Sequence, residues 1–295
     1  MLTIEHLSEL CASYRESLSA QVKEFSIGQK ACRFNGDPVL MGVINLSADS
    51  WYRESVCLHT HQALRRADML MAQGADLIDL GAESTLAHAS RVEVDQQWKN
   101  LAPVLERIVH QGGCVSLETY APEIVERALK AGVRVINLTG NSEAERIYAL
   151  CAEYDAAVII CHVQGANVRQ VGKLVFEGDP IDSMMAWFEG EIQKAELAGL
   201  KKMFLDPGLG FYYSNLKDGK ERVRYQMSMF LNTFRLRRLG WPVCHALPHA
   251  FEFFGEEVRT AESFFAMMAI LGKTDLIRTH EVAKVRAVID TMSHF

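Results

Sequence analysis

The sequence alternates eight times between a short apolar run and a longer amphipathic segment, and this repeat limits the possible folds more than any other feature. The apolar runs cover residues 39–46, 77–81, 114–117, 133–138, 157–161, 202–205, 243–246 and 275–277. The amphipathic segments cover residues 60–73, 94–110, 122–130, 142–154, 180–198, 217–239, 260–271 and 280–294. Short, continuous apolar runs are typical of parallel strands buried on both faces, and the segments between them have helical spacing.

Eight strand–helix units in 295 residues predict an α/β fold of the (β/α)₈ or TIM-barrel type. The alternative is an open, doubly wound sheet, which would be expected to carry a glycine-rich phosphate loop after its first strand. The sequence at 45–50, Asn-Leu-Ser-Ala-Asp-Ser, contains no such loop and therefore favours the barrel.

The segment before the repeat is expected to be an N-terminal helical extension. Its first 25 residues have the apolar spacing of an amphipathic helix, and residues 26–38 predict a short hairpin that turns at 35–38. We therefore divide the chain into a leader of helix and hairpin, 1–37, and a barrel domain, 38–295.

Composition excludes several classes of function. The net charge of -6 argues against non-specific nucleic-acid binding, which needs a basic surface. No apolar run approaches the roughly 18 residues of a membrane-spanning helix, and the N-terminus lacks the pattern of a signal peptide. The seven cysteines include no CxxC pair, so we expect reduced thiols in a cytoplasmic protein without nucleic-acid or membrane partners.

Polar residues follow each predicted strand. In a barrel the carboxyl ends of all strands meet at one mouth, where the chemistry takes place. One polar residue at a strand end commonly just meets solvent, but so large a set predicts a ligand site. The set comprises Asn45, Asp49, Asp79, Glu83, Ser84, Thr85, Glu118, Asn137, His162, Asp206, His245, His249, Arg278 and His280.

Two kinds of ligand group suit this ring. A carboxylate and an amide, such as Asp206 and Asn137, can pair with the N–H edge of a planar heterocycle. The stretch 278–280, Arg-Thr-His, suits an anion, because a guanidinium and a helix N-terminus both offer N–H donors. The alternative for Arg278 is a surface ion pair.

Metal binding is indicated less directly. Mg²⁺ that is bound together with a diphosphate could be held by oxygen atoms of Asn45, Asp49, Glu83 and Glu118. No HExxH or similar signature indicates zinc, and His162 is expected to be a packed, hydrogen-bonded residue rather than a ligand.

Six segments between about residues 38 and 290 resemble the dihydropteroate synthase family. In chain order they read MGVINLSADS, DLGAEST, SLETY, AGVRVINLTG, LDPGLGF and IRTHEV. The resemblance implies a TIM barrel, usually dimeric, that joins 6-hydroxymethyl-dihydropterin pyrophosphate to the aromatic amine p-aminobenzoate in folate synthesis. It also implies Mg²⁺ as the cofactor and pyrophosphate as the leaving group.

The resemblance assigns a role to parts of the ring. The pterin-binding residues would be Glu118, Asn137 and Asp206. The pyrophosphate-binding residues would be Asn45, Arg278 and His280, with Asn45 also on the metal. The catalytic residues would be Asn45, Asp49 and Glu118. The second-substrate loop would include Ser84, Thr85 and His249.

The chain departs from the family pattern mainly on the second-substrate side. Where the family has Ser-Arg-Lys after strand seven, residues 247–250 read Leu-Pro-His-Ala, so the lysine that bridges the two substrates is missing. His249 is shorter than lysine and mostly neutral at pH 7. The other departures are Ala48, Trp51, Leu86-Ala87, Glu118 for aspartate, Leu138 for aspartate, and Tyr212-Tyr213 for Gly-Lys.

These features leave two functions open. The first is a dihydropteroate-synthase-like transferase that uses p-aminobenzoate or another acceptor. The alternative is a non-synthase pterin-binding paralogue, acting as a carrier, sensor or partner subunit. A pterin-dependent methyltransferase is disfavoured, because the Arg-Thr-His stretch indicates an anion. A homodimer is expected through the predicted helix 260–271, whose apolar residues cover more than one face.

Overall fold

The structure is a computed structural model and describes residues 1–47, 55–81, 93–164, 173–210, 215–216 and 218–294. The chain begins with helix α1 (Ile4–Ser13) and a 3₁₀ helix (Arg15–Ser19). A two-stranded antiparallel hairpin of β1 (Ser26–Ile27) and β2 (Lys30–Ala31) follows.

The remaining strands and helices alternate along the chain. The strands are β3 (Val39–Asn45), β4 (Leu77–Gly81), β5 (Val115–Thr119), β6 (Val135–Leu138), β7 (Ala157–Cys161), β8 (Met203–Asp206), β9 (Cys244–Ala246) and β10 (Leu276–Thr279). The helices are α2 (Thr60–Ala72), α3 (Val94–His110), α4 (Pro122–Lys130), α5 (Ala144–Glu153), α6 (Pro180–Leu197), α7 (Gly219–Leu236), α8 (Phe251–Phe254), α9 (Val258–Leu271) and α10 (Val282–Met292). Short 3₁₀ helices lie at Arg237–Leu239 and Gly255–Glu257.

Strands β3 to β10 form one parallel sheet that closes on itself. Their order is β8-β7-β6-β5-β4-β3-β10-β9. The two ends meet where Leu205 of β8 bridges to Val243, just before β9, and the Leu205 amide donates to the Pro242 carbonyl at 2.9 Å. The predicted TIM barrel is confirmed, and the alternative prediction of an open, doubly wound sheet is wrong.

Successive residues of each strand face opposite sides of the barrel wall. In β3, Val39 and Met41 belong to the buried cluster inside the barrel, whereas Leu40 and Ile44 pack against the surrounding helices. The same alternation turns polar residues near the carboxyl ends of several strands inward. The barrel interior is therefore apolar near the amino ends of the strands and polar near their carboxyl ends.

The N-terminal segment covers the amino end of the barrel. Its side chains Val22, Ile27, Cys32 and Phe34 belong to the same buried cluster as the first residues of several barrel strands. The ring of Phe34 stands edge-on to Phe204, with centroids 5.2 Å apart. The leader therefore contributes directly to the apolar core of the barrel.

The details of this segment differ from the sequence prediction. The first helix ends at Ser13 rather than near residue 25, and none of its residues is buried. The hairpin turns at Gly28, whose φ of +59° suits a residue without a side chain, and not at 35–38. Asn35 instead accepts a hydrogen bond from Arg237 at 2.8 Å and exchanges two with the Val22 backbone, at 2.9 and 3.0 Å.

Of the helices in the described segments, none combines the length and hydropathy needed to cross a bilayer.

Replacing Phe34 by alanine is expected to lower the free energy of unfolding by about 3–5 kcal/mol, because the ring is only 2% exposed and its loss leaves a cavity. Urea denaturation of the full chain measures this. The control is Phe253→Ala, since that side chain is 58% exposed and should change stability by about 0.5 kcal/mol or less. Equal losses in the two variants would contradict the role given to the leader.

Candidate active site

A buried ion pair lies inside the barrel, near the carboxyl ends of the strands. Arg278 points inward from β10, and its Nε is 2.7 Å from Oδ2 of Asp79 on β4. Its Nη2 is 2.6 Å from Oε2 of Glu118 on β5. Arg278 is thus an interior residue, and the alternative of a surface ion pair is wrong.

Asp79 connects this ion pair to the neighbouring strands. It is fully buried and accepts hydrogen bonds from the Ser116 hydroxyl at 2.7 Å and the Asn137 amide nitrogen at 3.2 Å. The amide of Asn137 is therefore held in one orientation at the end of β6. Sequence reasoning placed Asp79 in the polar ring but gave it no role, and it missed Ser116.

Burial shifts the pKa values of the ionisable groups in this cluster. It raises the pKa of Glu118 to about 7, with the charge of Arg278 acting in the opposite direction. It raises the pKa of Asp206 to about 6, opposed by the Gly208 N–H, which donates to Oδ1 at 2.8 Å, and by Arg278. Burial alone would lower the pKa of Arg278, but Asp79 and Glu118 raise it above its ordinary value. Arg278 is therefore always charged, whereas the two carboxyl groups titrate near neutrality.

Asn45 lies at the end of β3, at the edge of this cluster. Its Nδ2 donates to the hydroxyl of Ser55 at 2.5 Å, which fixes the orientation of the amide. A Cβ placed on Gly81 would lie 3.5 Å from Oδ1 of Asn45 and 3.8 Å from Oε2 of Glu118. Gly81 is thus bordered by side-chain oxygens of Asn45 and Glu118.

A second polar cluster lies where β9 and β10 end. Oε1 of Glu262, a buried residue of α9, is 2.9 Å from Nδ1 of His280 and 3.6 Å from Nε2 of His249. Burial lowers the pKa of His249 to about 4, with Glu262 acting in the opposite direction, so its ring is neutral at pH 7. Sequence reasoning missed Glu262, although a glutamate within the apolar stretch AESFFAMMAIL is a detectable signal.

Two other histidines of the predicted ring serve packing. His162 is buried, edge-on to Trp187 with centroids 4.9 Å apart, which agrees with the expectation of a packed residue. The hydrogen bond that was also expected is not seen at Nδ1, which has no partner among the described residues. His245 points outward to α7, where its Nε2 is 2.7 Å from the Thr233 hydroxyl, so it does not face the mouth. The predictions for Asp49, Glu83, Ser84 and Thr85 fall outside the described residues.

The interior thus joins an amide, several carboxyl groups and one guanidinium at the carboxyl ends of parallel strands. A sequence profile of the family described as "Pterin binding enzyme" matches residues 41–280. The chain belongs to this family. The resemblance drawn from the six motifs is confirmed, and the barrel and the polar mouth are parts of a pterin-binding enzyme.

Other members of the family carry the name dihydropteroate synthase. The type-2 enzyme of Escherichia coli is 29% identical over 265 residues, covering 85% of this chain and 94% of that protein. The folate synthesis bifunctional protein of Chlamydia trachomatis is 30% identical over 189 residues, covering 60% of this chain but only 42% of that longer protein. The dihydropteroate synthase of Thermus thermophilus, solved with 4-aminobenzoate, has a TM-score of 0.74 and 26% identity, covering 92% of this chain and 100% of that one.

The raised pKa of Asp206 predicts a pH-dependent cost of folding. The folded state holds this proton more tightly than the unfolded state, so the contribution of Asp206 to stability is complete below about pH 4 and is lost as the pH rises through about 6. Between pH 4 and pH 7, the free energy of unfolding should therefore fall by about 2 kcal/mol less in the Asp206→Asn variant than in the unmodified protein. Urea denaturation at both pH values measures this.

The control for this experiment is Asp95→Asn, because the Asp95 side chain is 88% exposed and should leave the pH profile unchanged. Parallel profiles for the unmodified protein and the Asp206→Asn variant would contradict the assignment.

Proposed function

We propose that this chain is a transferase of the dihydropteroate synthase type. It would bind 6-hydroxymethyl-dihydropterin pyrophosphate, and p-aminobenzoate or another aromatic amine would displace the pyrophosphate. The observation that carries the proposal is the buried cluster of Arg278, Glu118 and Asn137 around Asp79, inside the barrel of a pterin-binding family member.

The pterin would be recognised by Glu118, Asn137 and Asp206. A pterin ring presents N–H donors along one edge, and an ionised carboxylate accepts two parallel hydrogen bonds from such an edge. The pKa values near 6 and 7 of the two carboxyl groups mean that a donor-rich ring would favour their ionised forms. The amide of Asn137, held by Asp79, would supply a further oriented contact.

Arg278 and His280, with Asn45, would stabilise the pyrophosphate as it leaves. In the reaction the acceptor nitrogen forms a bond to the methylene carbon of the pterin, the C–O bond breaks, and its electron pair leaves with the pyrophosphate. The acceptor amine then loses a proton. A permanently charged guanidinium in a buried site stabilises the negative charge that develops on the leaving oxygen. No protein nucleophile is needed, so the residues mainly position the two substrates.

The cofactor proposed for this reaction is Mg²⁺, held by Asn45. Mg²⁺ prefers oxygen ligands, and Oδ1 of Asn45 is such an oxygen beside Gly81, whereas Oε2 of Glu118 is already bound by Arg278 at 2.6 Å. When bound, Mg²⁺ would neutralise part of the diphosphate charge. The catalytic role of Asp49, together with Asn45 and Glu118, belongs to the same proposal, as does the contact of Ser84 and Thr85 with the acceptor.

One observation favours the second candidate function, a pterin-binding paralogue that makes no dihydropteroate. The neutral, buried ring of His249 does not supply the positive charge of the lysine that the family pattern places in this loop. The loss of such a charge from a desolvated site typically costs about 2–5 kcal/mol. A carrier, sensor or partner subunit would tolerate that loss, whereas a synthase would be slowed.

The two candidates differ in what they release. The protein is incubated with the pterin pyrophosphate, Mg²⁺ and p-aminobenzoate, and pyrophosphate and dihydropteroate are measured. A synthase forms both products in equal amounts, whereas pterin binding without either product supports the paralogue. Asp206→Ala should abolish pterin binding in both cases, and the exposed control Asp95→Ala should retain it. Unchanged affinity in Asp206→Ala would remove the pterin assignment.

We also propose a homodimer that buries the outer face of α9. On this helix Met267 and Leu271 are 42% and 49% exposed, although the helix is apolar on its inner face as well. Light scattering at micromolar concentration should report twice the chain mass, and Met267→Lys should shift the protein toward the monomer. A monomeric unmodified protein would contradict the dimer.

We also propose a cytoplasmic location, because all seven cysteines are free thiols.

A further inference from the structure

The second polar cluster brings three potential metal ligands together. His249 follows β9, His280 follows β10, and Glu262 comes from the helix between these two strands. One ligand atom from each residue lies within 4.8 Å of the other two. The cluster is separate from the carboxyl groups around Arg278, which the proposed transferase function uses for the pterin.

The spacing of these atoms suits a small cation. Zinc binds imidazole nitrogen and carboxylate oxygen at about 2.0–2.1 Å, so two ligands of a tetrahedral site lie roughly 3.3 Å apart. The two distances from Oε1 of Glu262, 2.9 Å to His280 and 3.6 Å to His249, lie on either side of that value. The two imidazole nitrogens lie within 4.8 Å of each other, so an ion bound by all three residues requires that distance to be near 3.3 Å as well.

The other oxygen of Glu262 is held by the protein itself. The Thr279 hydroxyl donates to Oε2, as do the backbone N–H groups of His280 at 3.0 Å and Glu281 at 3.2 Å. These contacts leave Oε1 facing the two imidazoles. Hydrogen bonds of this kind orient the ligating groups in metal sites and raise metal affinity.

The chemistry of the donor set selects the class of ion. Two imidazoles and one carboxylate suit Zn²⁺ and other divalent transition metals, whereas Mg²⁺ and Ca²⁺ prefer oxygen donors. Three protein ligands leave a coordination position open, as in catalytic zinc sites.

We propose that His249, Glu262 and His280 bind one divalent transition-metal ion, with Zn²⁺ as the preferred ion. This site is distinct from the Mg²⁺ position proposed at Asn45. It is a property of the protein without pterin or acceptor, so it does not depend on the proposed transferase activity. If His280 also contacts pyrophosphate, the ion would lie beside that subsite and add positive charge there.

The test uses Co²⁺ as a spectroscopic substitute for Zn²⁺. The protein is treated with a chelator to remove metal, freed of the chelator and titrated with Co²⁺. We expect one equivalent to bind, with visible absorption typical of low-coordinate Co²⁺ and without the near-ultraviolet charge-transfer band of thiolate ligands. The second criterion matters because the chain has seven free cysteines. One equivalent of Zn²⁺ should abolish the signal, and excess Mg²⁺ should not.

Variants assign the site to these residues. Glu262→Gln and His249→Asn should each abolish the Co²⁺ absorption, while Thr279→Val, which removes a supporting hydrogen bond, should weaken binding by about 10–100-fold. The matched control is His61→Asn, an exposed histidine whose ring stacks on His59 at 5.7 Å. It should leave binding unchanged.

Circular dichroism confirms that each variant is folded, and Thr279→Val and His249→Asn still test the site if Glu262→Gln does not fold. The proposal is overturned if the stripped protein takes up no Co²⁺. It is also overturned if folded Glu262→Gln binds Co²⁺ like the unmodified protein, or if the absorption shows thiolate ligands.

Discussion

The ion pair between Arg278 and the two carboxylates beside it is the interaction on which the interior of this barrel depends. Asp79, Glu118 and Asp206 carry three carboxyl groups into a region with little access to water. Burying one unpaired carboxylate is costly, and the guanidinium offsets that cost by binding two of them at 2.7 and 2.6 Å. The bonds from Ser116 and Asn137 give Asp79 two further donors, and together with Arg278 they join β4, β5 and β6 to β10.

The single positive charge of Arg278 does not balance three ionised carboxyl groups, and this imbalance affects the protonation of the site. The pair of Arg278 and Asp79 is neutral as a whole, so Glu118 and Asp206 ionise against their burial, at pKa values near 7 and 6. At pH 7 the Asp206 carboxyl is therefore mostly ionised, whereas the Glu118 carboxyl is about half protonated. A ligand that donates N–H groups would shift them toward the carboxylate, which links pterin recognition to proton release.

The mouth of the barrel contains two polar clusters with different character. The inner cluster around Arg278 follows the family pattern except at Glu118, where the family has aspartate. In the outer cluster of His249, Glu262 and His280, the chain departs from that pattern at His249, whereas His280 lies in a motif that agrees with it. Because a neutral histidine replaces the expected lysine, a bound transition-metal ion would restore positive charge by other means. This connects the altered loop after β9 to the glutamate in α9.

The sequence by itself determined the barrel and the meeting of several polar strand ends at one mouth. Eight buried strands with polar ends have few ways to pack, and parallel strands in a closed barrel bring Asn137, Asp206 and Arg278 to one mouth. Tertiary structure decided the rest. Packing in three dimensions decides where the hairpin turns, at Gly28, and how the leader covers the amino end of the barrel. It also decides that Arg278 pairs with Asp79 and that Glu262 approaches two histidines. Local patterns show which residues are apolar or polar, but they contain no information about which distant side chains will meet.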